Sequence, residues 1–216
     1  MAAQAALKVA LLGAESTGKT SLAAGIAEHW RGCGHAVHAA GEYLREWRDR
    51  EGHTPRPHEQ IGIAHEQARR ALLAPAGHWL VADTTPVMTA VYSDMLFNDQ
   101  TLYDFALEHQ RHYDLTLVTG LDIAWVADGL QRDGPHVREP VDAMVRAALD
   151  RAGLPYRVVY GQGPRRLLNA LYAIDSFTRT GTESRPWTCD KCADPDCEHK
   201  LFTGLLGSPE AGRQAT

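Results

Sequence analysis

The stretch Gly13-Ala14-Glu15-Ser16-Thr17-Gly18-Lys19-Thr20 decides the fold of this chain. Its spacing, G-x-x-x-x-G-K-T, is typical of a loop whose backbone N–H groups surround phosphate groups. The aliphatic run at 7–12 precedes it and predicts a strand buried on both faces. Good helix formers follow at 20–30. Because the motif stands between a strand and a helix, a chance match on an ordinary turn is the less favoured interpretation.

Strands and helices alternate along the chain beyond this loop. Apolar runs predict further strands at 35–40, 79–82, 115–119 and 156–160. Helical spacing predicts helices at 41–49, 58–73, 86–97, 102–112, 141–152 and 165–177. The alternation predicts an α/β fold of the P-loop NTPase class, with a parallel five-stranded sheet and helices on both faces. Residues 1–178 are interpreted as this domain and residues 179–216 as a short Cys-rich appendage.

Composition narrows the class of protein. The 216 residues are 44% hydrophobic and 23% charged, which is ordinary for one globular α/β domain with a short appendage. A net charge of -5 implies no broad basic surface and argues against nucleic acid as a partner. The N-terminus has no charged segment followed by a long apolar core, so neither a signal peptide nor a membrane span is predicted. We expect a cytoplasmic protein, and a homo-oligomer is compatible with the sequence.

Each residue of the loop has an expected role in holding a nucleotide. Gly13 and Gly18 allow backbone angles that side chains oppose, so that successive N–H groups can point inward. Lys19 supplies a positive charge for the β- and γ-phosphates of ATP or GTP, and the Thr20 hydroxyl is a ligand for Mg²⁺. The other residues predicted to contact the nucleotide are Glu15, Ser16, Thr17 and Ser21.

Two acidic residues follow predicted strands. Asp83 ends the strand at 79–82, so its carboxylate should emerge at the same edge of the sheet as the loop. There it could hold Mg²⁺ or accept a proton from an acceptor hydroxyl. The alternative is that Asp83 caps a helix that starts near Pro86. Glu42 follows the strand at 35–40, which is where small-molecule kinases keep an acidic residue.

The loop alone does not choose among GTPase, motor and kinase. A GTPase would need Asn-Lys-x-Asp after a late strand, and residues 120–123 read Gly-Leu-Asp-Ile. The short chain, with Thr84 and not Glu after Asp83, argues against a motor or AAA-type ATPase. The polar segment at 128–138 is placed where a kinase has its lid, and a closed lid excludes water from the reaction. Its Arg132 and Arg138 could meet the charge that develops on the transferred phosphoryl group. The alternative is a surface loop with solvated charges.

Four stretches together resemble the ribosylnicotinamide kinase domain of NadR-type NAD-biosynthesis proteins, in order and spacing, from about residue 7 to residue 174. They are the loop at 13–20, Glu42-Tyr43-Leu44-Arg45-Glu46, Asp83-Thr84-Thr85, and Trp125-Val126-Ala127-Asp128-Gly129-Leu130-Gln131-Arg132. The resemblance implies ATP-dependent phosphorylation of the 5′-hydroxyl of nicotinamide riboside, giving the mononucleotide.

The resemblance also implies roles for single residues. Lys19 and Thr20 would serve ATP and Mg²⁺. Glu42 and Asp83 would face the ribose, one of them as the base, and the choice between them stays open. Arg132 would belong to the lid, and the loop at 161–165, which includes Arg165, resembles the adenine-side loop of the family.

Two features leave the acceptor open. The family often has a second Asp two residues after the first, where this chain has Thr85. The aromatic residues Tyr43, Trp47, Tyr92 and Phe97 are candidates for stacking a flat ring, although aromatic residues at helical spacing more often belong to the core.

An alternative from another class is a regulatory ATP-binding or ATPase module whose tail docks a partner.

Three of the four cysteines crowd into the tail, which indicates a metal site more than a disulfide framework. Cys189, Cys192, Cys197 and His199 offer three thiolates and one imidazole, a set that suits tetrahedral Zn²⁺. Four ligands with no open position would make a structural zinc site that orders the tail. The alternative is a set of free or redox-active thiols.

Overall fold

The computed structural model describes residues 6–125 and 134–179 of the chain. Within these two segments there are five strands: β1 (Lys8–Leu12), β2 (Val37–Ala40), β3 (Trp79–Asp83), β4 (Leu115–Thr119) and β5 (Tyr156–Val159). The same described residues hold seven α-helices: α1 (Lys19–Gly32), α2 (Tyr43–Glu51), α3 (Pro57–Leu72), α4 (Pro86–Phe97), α5 (Tyr103–Gln110), α6 (Arg138–Arg151) and α7 (Gly163–Thr178). Every strand and helix predicted from the sequence is present, most with boundaries within two residues.

The strands form one parallel sheet in the order β2-β3-β1-β4-β5. β1 is central: Leu11 pairs with Asp83 of β3 on one side and with Leu117 of β4 on the other. All five carboxyl ends therefore meet at one edge, and the strand order reverses around β1, the usual position of a ligand crevice in open α/β sheets. The predicted fold class is confirmed.

Helices cover both faces of the sheet. On one face, Val9 and Leu11 of β1 pack with α1 and α7, including the buried residues Ile26 and Ile174. On the other face, Leu12 packs with residues of α4, α5 and α6. Since successive strand residues point to opposite faces, both faces need apolar residues, which explains the continuous aliphatic run.

Two helices begin two or three residues earlier than the sequence suggested. α6 begins at Arg138 and not at 141, because Pro140 falls in its first turn, where a missing N–H costs nothing. α7 begins at Gly163 and not at 165, with Pro164 in its first turn. The assignment of Arg138 to a lid loop and of Arg165 to a loop is therefore wrong, since both residues are helical.

Several predictions fall outside the described residues. They concern Arg132 of the proposed lid and the four tail residues Cys189, Cys192, Cys197 and His199. Within residues 6–125 and 134–179, no group of three or more His, Cys, Asp or Glu side chains is placed to hold a metal ion. None of the helices in these two segments is long and apolar enough to cross a membrane.

Candidate functional site at the carboxyl edge of the sheet

The loop between β1 and α1 has the conformation that an anion-binding loop requires. Gly13 has φ 138°, and a Cβ there would collide with the side chain of Thr119. Gly18 has φ 77° and stands at the N-cap of α1, so the first N–H groups of that helix open toward the loop. Both glycines are needed for their backbone geometry, as the motif predicted.

Thr17 fastens the loop to the neighbouring strand. Its hydroxyl donates to Ala14 O at 2.7 Å and lies 2.6 Å from the Thr119 hydroxyl at the end of β4. The Thr17 side chain is 1% exposed. It therefore supports the loop from inside, and its backbone N–H is the group left for an anion.

Lys19 closes over its own loop. Its Nζ donates to Gly13 O and to Ala14 O, each at 2.8 Å. These carbonyl groups hold the ammonium near the mouth of the loop. A phosphate oxygen would offer the ammonium a charged acceptor in the same region, which makes a stronger hydrogen bond than a neutral carbonyl.

Asp83 lies at the centre of the site. It ends β3 and is 4% exposed, and among the described residues its Oδ1 atom has no hydrogen-bond partner. Burial raises its pKa, and the negative charge of Glu42 raises it further, whereas a hydrogen bond from Thr20 and the charges of Lys19 and Arg45 lower it. Thr20 and Lys19 of the loop and Glu42 of the neighbouring strand end therefore lie close enough to Asp83 to change its pKa.

The helix-capping alternative for Asp83 is excluded by its neighbour Thr85. Thr85 is the N-cap of α4, and its hydroxyl accepts from Val87 N at 3.3 Å. The same hydroxyl donates to Gln110 Oε1 at 2.7 Å, and Gln110 donates to Thr116 at 2.9 Å. Since Thr85 caps the helix and is fully buried, the Asp83 carboxylate is left for another partner.

Glu42 stands at the other strand end, at the N-cap of α2, where its side chain makes no capping hydrogen bond. Its Oε2 atom lies 3.4 Å from the Arg45 guanidinium. The backbone on both sides of Glu42 is held by Gln67 of α3, which the sequence analysis missed. A glutamine within the apolar stripe of a helix is the signal that could have found it, because a buried amide needs polar partners.

The far side of the site is built by Asp122 and Arg166. The Arg166 guanidinium lies 3.0 Å from Asp122 and donates to Gly161 O and Gly120 O, which joins the segments after β4 and β5. The side chain of Ile123, in the segment after β4, reaches toward Gly18 of the phosphate loop. Arg165 is exposed in the first turn of α7, so it can reach a ligand while Arg166 holds the frame.

Two other candidates have structural partners. Arg138 is buried and donates to Leu121 O at 3.3 Å, so it braces the segment after β4. Trp47 is buried with its ring edge against His53, which places it in the core. The Tyr43 ring faces the Arg70 guanidinium, 4.5 Å from its centroid, beside Glu42.

These groups fit a phosphate bound together with a divalent cation. The loop offers N–H groups and Lys19 to an anion, and the buried Asp83 Oδ1 and the Thr20 hydroxyl are oxygen ligands of the kind Mg²⁺ prefers. A cation there would offset the burial cost of the Asp83 carboxylate. The arrangement can therefore hold a nucleoside triphosphate at the loop and place carboxylates beside its terminal phosphate.

A family model described as AAA domain matches residues 8–166, which is most of the chain. The chain belongs to this AAA-domain family. The short chain and Thr84 after Asp83, which seemed to argue against an AAA-type assignment, are thus compatible with membership. A search of curated proteins finds no match.

Solved structures share the fold of this AAA-domain protein. A NadR protein in complex with NR has a TM-score of 0.64 at 19% identity, covering 84% of this chain and 54% of that one. A NadR protein in complex with NAD and AMP-PNP has a TM-score of 0.62 at 19% identity, covering 83% and 52%. A thymidylate kinase from Ehrlichia chaffeensis has a TM-score of 0.57 at 11% identity, covering 79% and 99%. The chain spans about half the length of the NadR structures it matches. The expected resemblance to NadR is confirmed at the level of the fold.

Proposed function

We propose that the protein is an ATP-dependent kinase that phosphorylates a hydroxyl group of a nucleoside-like small molecule, with nicotinamide riboside as the leading acceptor and nicotinamide mononucleotide as its product. The observation that carries the proposal is the buried Asp83 carboxylate, which has an unpartnered oxygen beside Thr20 and Lys19 of the phosphate loop. A purely structural carboxylate would be satisfied by the protein.

The donor half follows from the loop. Its N–H groups would hold the β- and γ-phosphates, and Lys19 would leave Gly13 O and Ala14 O to neutralise charge as the phosphoryl group moves. Mg²⁺ held by Thr20 and Asp83 would neutralise further charge on the phosphates. The exposed Arg165 would lie against the adenine ring of ATP, next to Arg166, which is held by Asp122.

The acceptor half follows from the two carboxylates. An acceptor hydroxyl oxygen would attack the γ-phosphorus, the bond to the bridging oxygen would break, ADP would leave, and the hydroxyl proton would pass to a carboxylate. Asp83 would be occupied with Mg²⁺ and Thr20, so Glu42, half-buried at the neighbouring strand end, is the carboxylate we assign as the base. Arg132 would complete the site from the lid.

Two comparisons support the proposed acceptor and donor classes. The NadR protein that shares the fold was solved with NR, and a second NadR structure holds AMP-PNP, an ATP analogue. The four sequence stretches described above match the same family in order. The thymidylate kinase likeness supports a related architecture at lower identity.

The test is a phosphorylation assay on the purified chain with ATP, Mg²⁺ and a panel containing nicotinamide riboside, the common ribonucleosides and thymidine. Mass spectrometry should find one added phosphoryl group on nicotinamide riboside before any other acceptor. Phosphorylation of a different nucleoside would support the kinase activity and contradict nicotinamide riboside as the acceptor. Tight ATP binding with no phosphorylated product would favour the regulatory ATP-binding module.

We also propose that Cys189, Cys192, Cys197 and His199 hold a structural Zn²⁺, on the strength of their number and spacing alone. Protein purified without added zinc should contain about one equivalent of zinc, and Cys192→Ser should release it. Substoichiometric metal with freely titrating thiols would contradict the zinc proposal without touching the kinase proposal.

A further inference from the structure

We propose that Gln67 is a positioning residue that fixes Glu42 and Asp83 relative to one another, and this rests on the proposed function. Gln67 lies in α3, is 2% exposed, and directs its side-chain hydrogen bonds to backbone groups. Its amide thereby joins the two backbone segments that carry Glu42 and Asp83.

The Gln67 side chain makes three hydrogen bonds to backbone groups. The Gln67 Oε1 atom accepts from Tyr43 N at 2.7 Å, and Nε2 donates to Gly41 O at 3.1 Å and to Thr84 O at 3.3 Å. Gly41 and Tyr43 are the residues on either side of Glu42, and Thr84 is the residue after Asp83. One side chain thus holds both ends of the Glu42 segment and the start of the Asp83 turn.

The sheet itself does not supply this link. The pairing between β2 and β3 ends with Ala40 opposite Ala82, before either carboxylate is reached. Beyond that pair the Asp83 segment turns sharply, since Thr84 has φ 76°, a left-handed angle that is unfavourable for a β-branched residue. The Gln67 amide therefore bridges the two segments at the point where the ladder of backbone hydrogen bonds has stopped.

A neutral amide suits this place better than a carboxylate. It donates and accepts at once, whereas a carboxylate would only accept and would add a negative charge close to Glu42 and Asp83. The helix that carries it is anchored by buried alanines, Ala64, Ala68 and Ala71, so its position is set by packing and not by the site. A rigid second layer of this kind is what catalytic carboxylates need to stay in reach of their reacting atoms.

The bond to Tyr43 has a further property. Tyr43 is the first residue of α2, so its N–H belongs to the group at a helix start that has no intrahelical partner. Its protection from solvent exchange therefore depends on Gln67. This gives a readout of positioning that does not involve activity.

The first measurement compares steady-state kinetics of wild type, Gln67→Met and the control Gln110→Met. Gln110 is also buried and also links two segments by side-chain hydrogen bonds, to Thr85 and Thr116. Gln67→Met should lower kcat by about 10- to 100-fold, because small misplacements of reacting groups are that costly, with the KM for ATP changed less than about twofold. Gln110→Met should lose similar thermal stability and keep kcat within about threefold.

The second measurement is native-state amide exchange at Tyr43. Protection should be lost in Gln67→Met and kept in Gln67→Glu, which retains the acceptor oxygen. If Gln67→Met fails to fold, Gln67→Glu carries the kinetic test, with kcat expected to fall because two donors are lost. Unchanged Tyr43 protection, unchanged kcat, or an equal fall of kcat in Gln110→Met would each overturn the proposal. A wild type that phosphorylates no acceptor would overturn the proposed function, and the exchange data would still decide the geometry.

Discussion

At the carboxyl edge of the sheet some buried polar atoms are held without protein partners, whereas at the amino-terminal edge Lys8 and Asp114 hydrogen-bond to each other. Among the described residues, Asp83 Oδ1 and the Thr84 hydroxyl have no hydrogen-bond partner. At the opposite edge, Lys8 N donates to Asp114 Oδ2 at 2.8 Å, and Asp114 N donates to Lys8 O at 2.9 Å. The Trp79 ring there stacks on His35, with centroids 3.8 Å apart.

The difference separates a surface shaped for a ligand from one shaped for stability. A buried polar group without a partner costs free energy, so a fold keeps one only where something outside the chain completes it. Both edges are built from the same strands and the same helices.

The largest effect is expected from Lys19→Met. Removing the ammonium that serves the transferred phosphoryl group should lower kcat/KM by more than about 10³-fold in the coupled kinase assay. Lys8→Met, an exposed lysine at the amino end of β1, is the matched control and should stay within about twofold of wild type. Equal losses in the two variants would remove the distinction between the edges.

Asp83→Asn should lower kcat by about 10²- to 10³-fold while ATP binding without Mg²⁺ is retained. Because burial raises the Asp83 pKa, ionisation costs folding free energy at neutral pH, and the neutral amide should leave Tm unchanged or raise it. Calorimetry and kinetics on the same preparation check both parts. A variant that loses stability together with activity would make Asp83 a structural residue.

His109 predicts a pH dependence of stability. It packs near Tyr113 and His112, and burial, followed by the charge of His112, lowers its pKa from 6.5 to about 4. The unfolded chain binds a proton at this residue between those pH values, so stability should fall as pH decreases through them, by about 3 kcal/mol in total. Urea unfolding of wild type and His109→Gln at pH 7 and pH 4.5 measures the difference, and parallel pH profiles would contradict it.

Thr85→Ala is expected to have the smallest effect. It removes the N-cap of α4 and the donor to Gln110, which should cost about 2 kcal/mol of unfolding free energy. Thr85→Ser keeps the hydroxyl and should recover most of that loss. kcat should stay within about threefold in both variants, and a large kinetic defect in Thr85→Ser would give Thr85 a direct role at the site.

Much of the fold was predictable because its signals are local. The aliphatic run before Gly13 and the helix formers after Thr20 predicted β1 and α1. Apolar runs and helical spacing further along the chain predicted the other strands and helices. The starts of α6 and α7 lie two or three residues before the predicted ones, since Pro140 and Pro164 fall in the first turns of these helices, where proline is tolerated. Gln67 was missed because its partners are 17 to 26 residues away in the sequence.

The sequence by itself determined the phosphate loop, because consecutive residues Gly13 to Thr20 carry all the backbone freedom, charge and hydroxyl groups that the loop needs. It also placed Glu42 and Asp83 at strand ends. Only the tertiary structure decided that Thr85 and not Asp83 caps α4, and that Gln67 joins the two acidic segments. Those roles depend on distances between strands and a packed helix, and such distances are set by the core and not by neighbours in the chain.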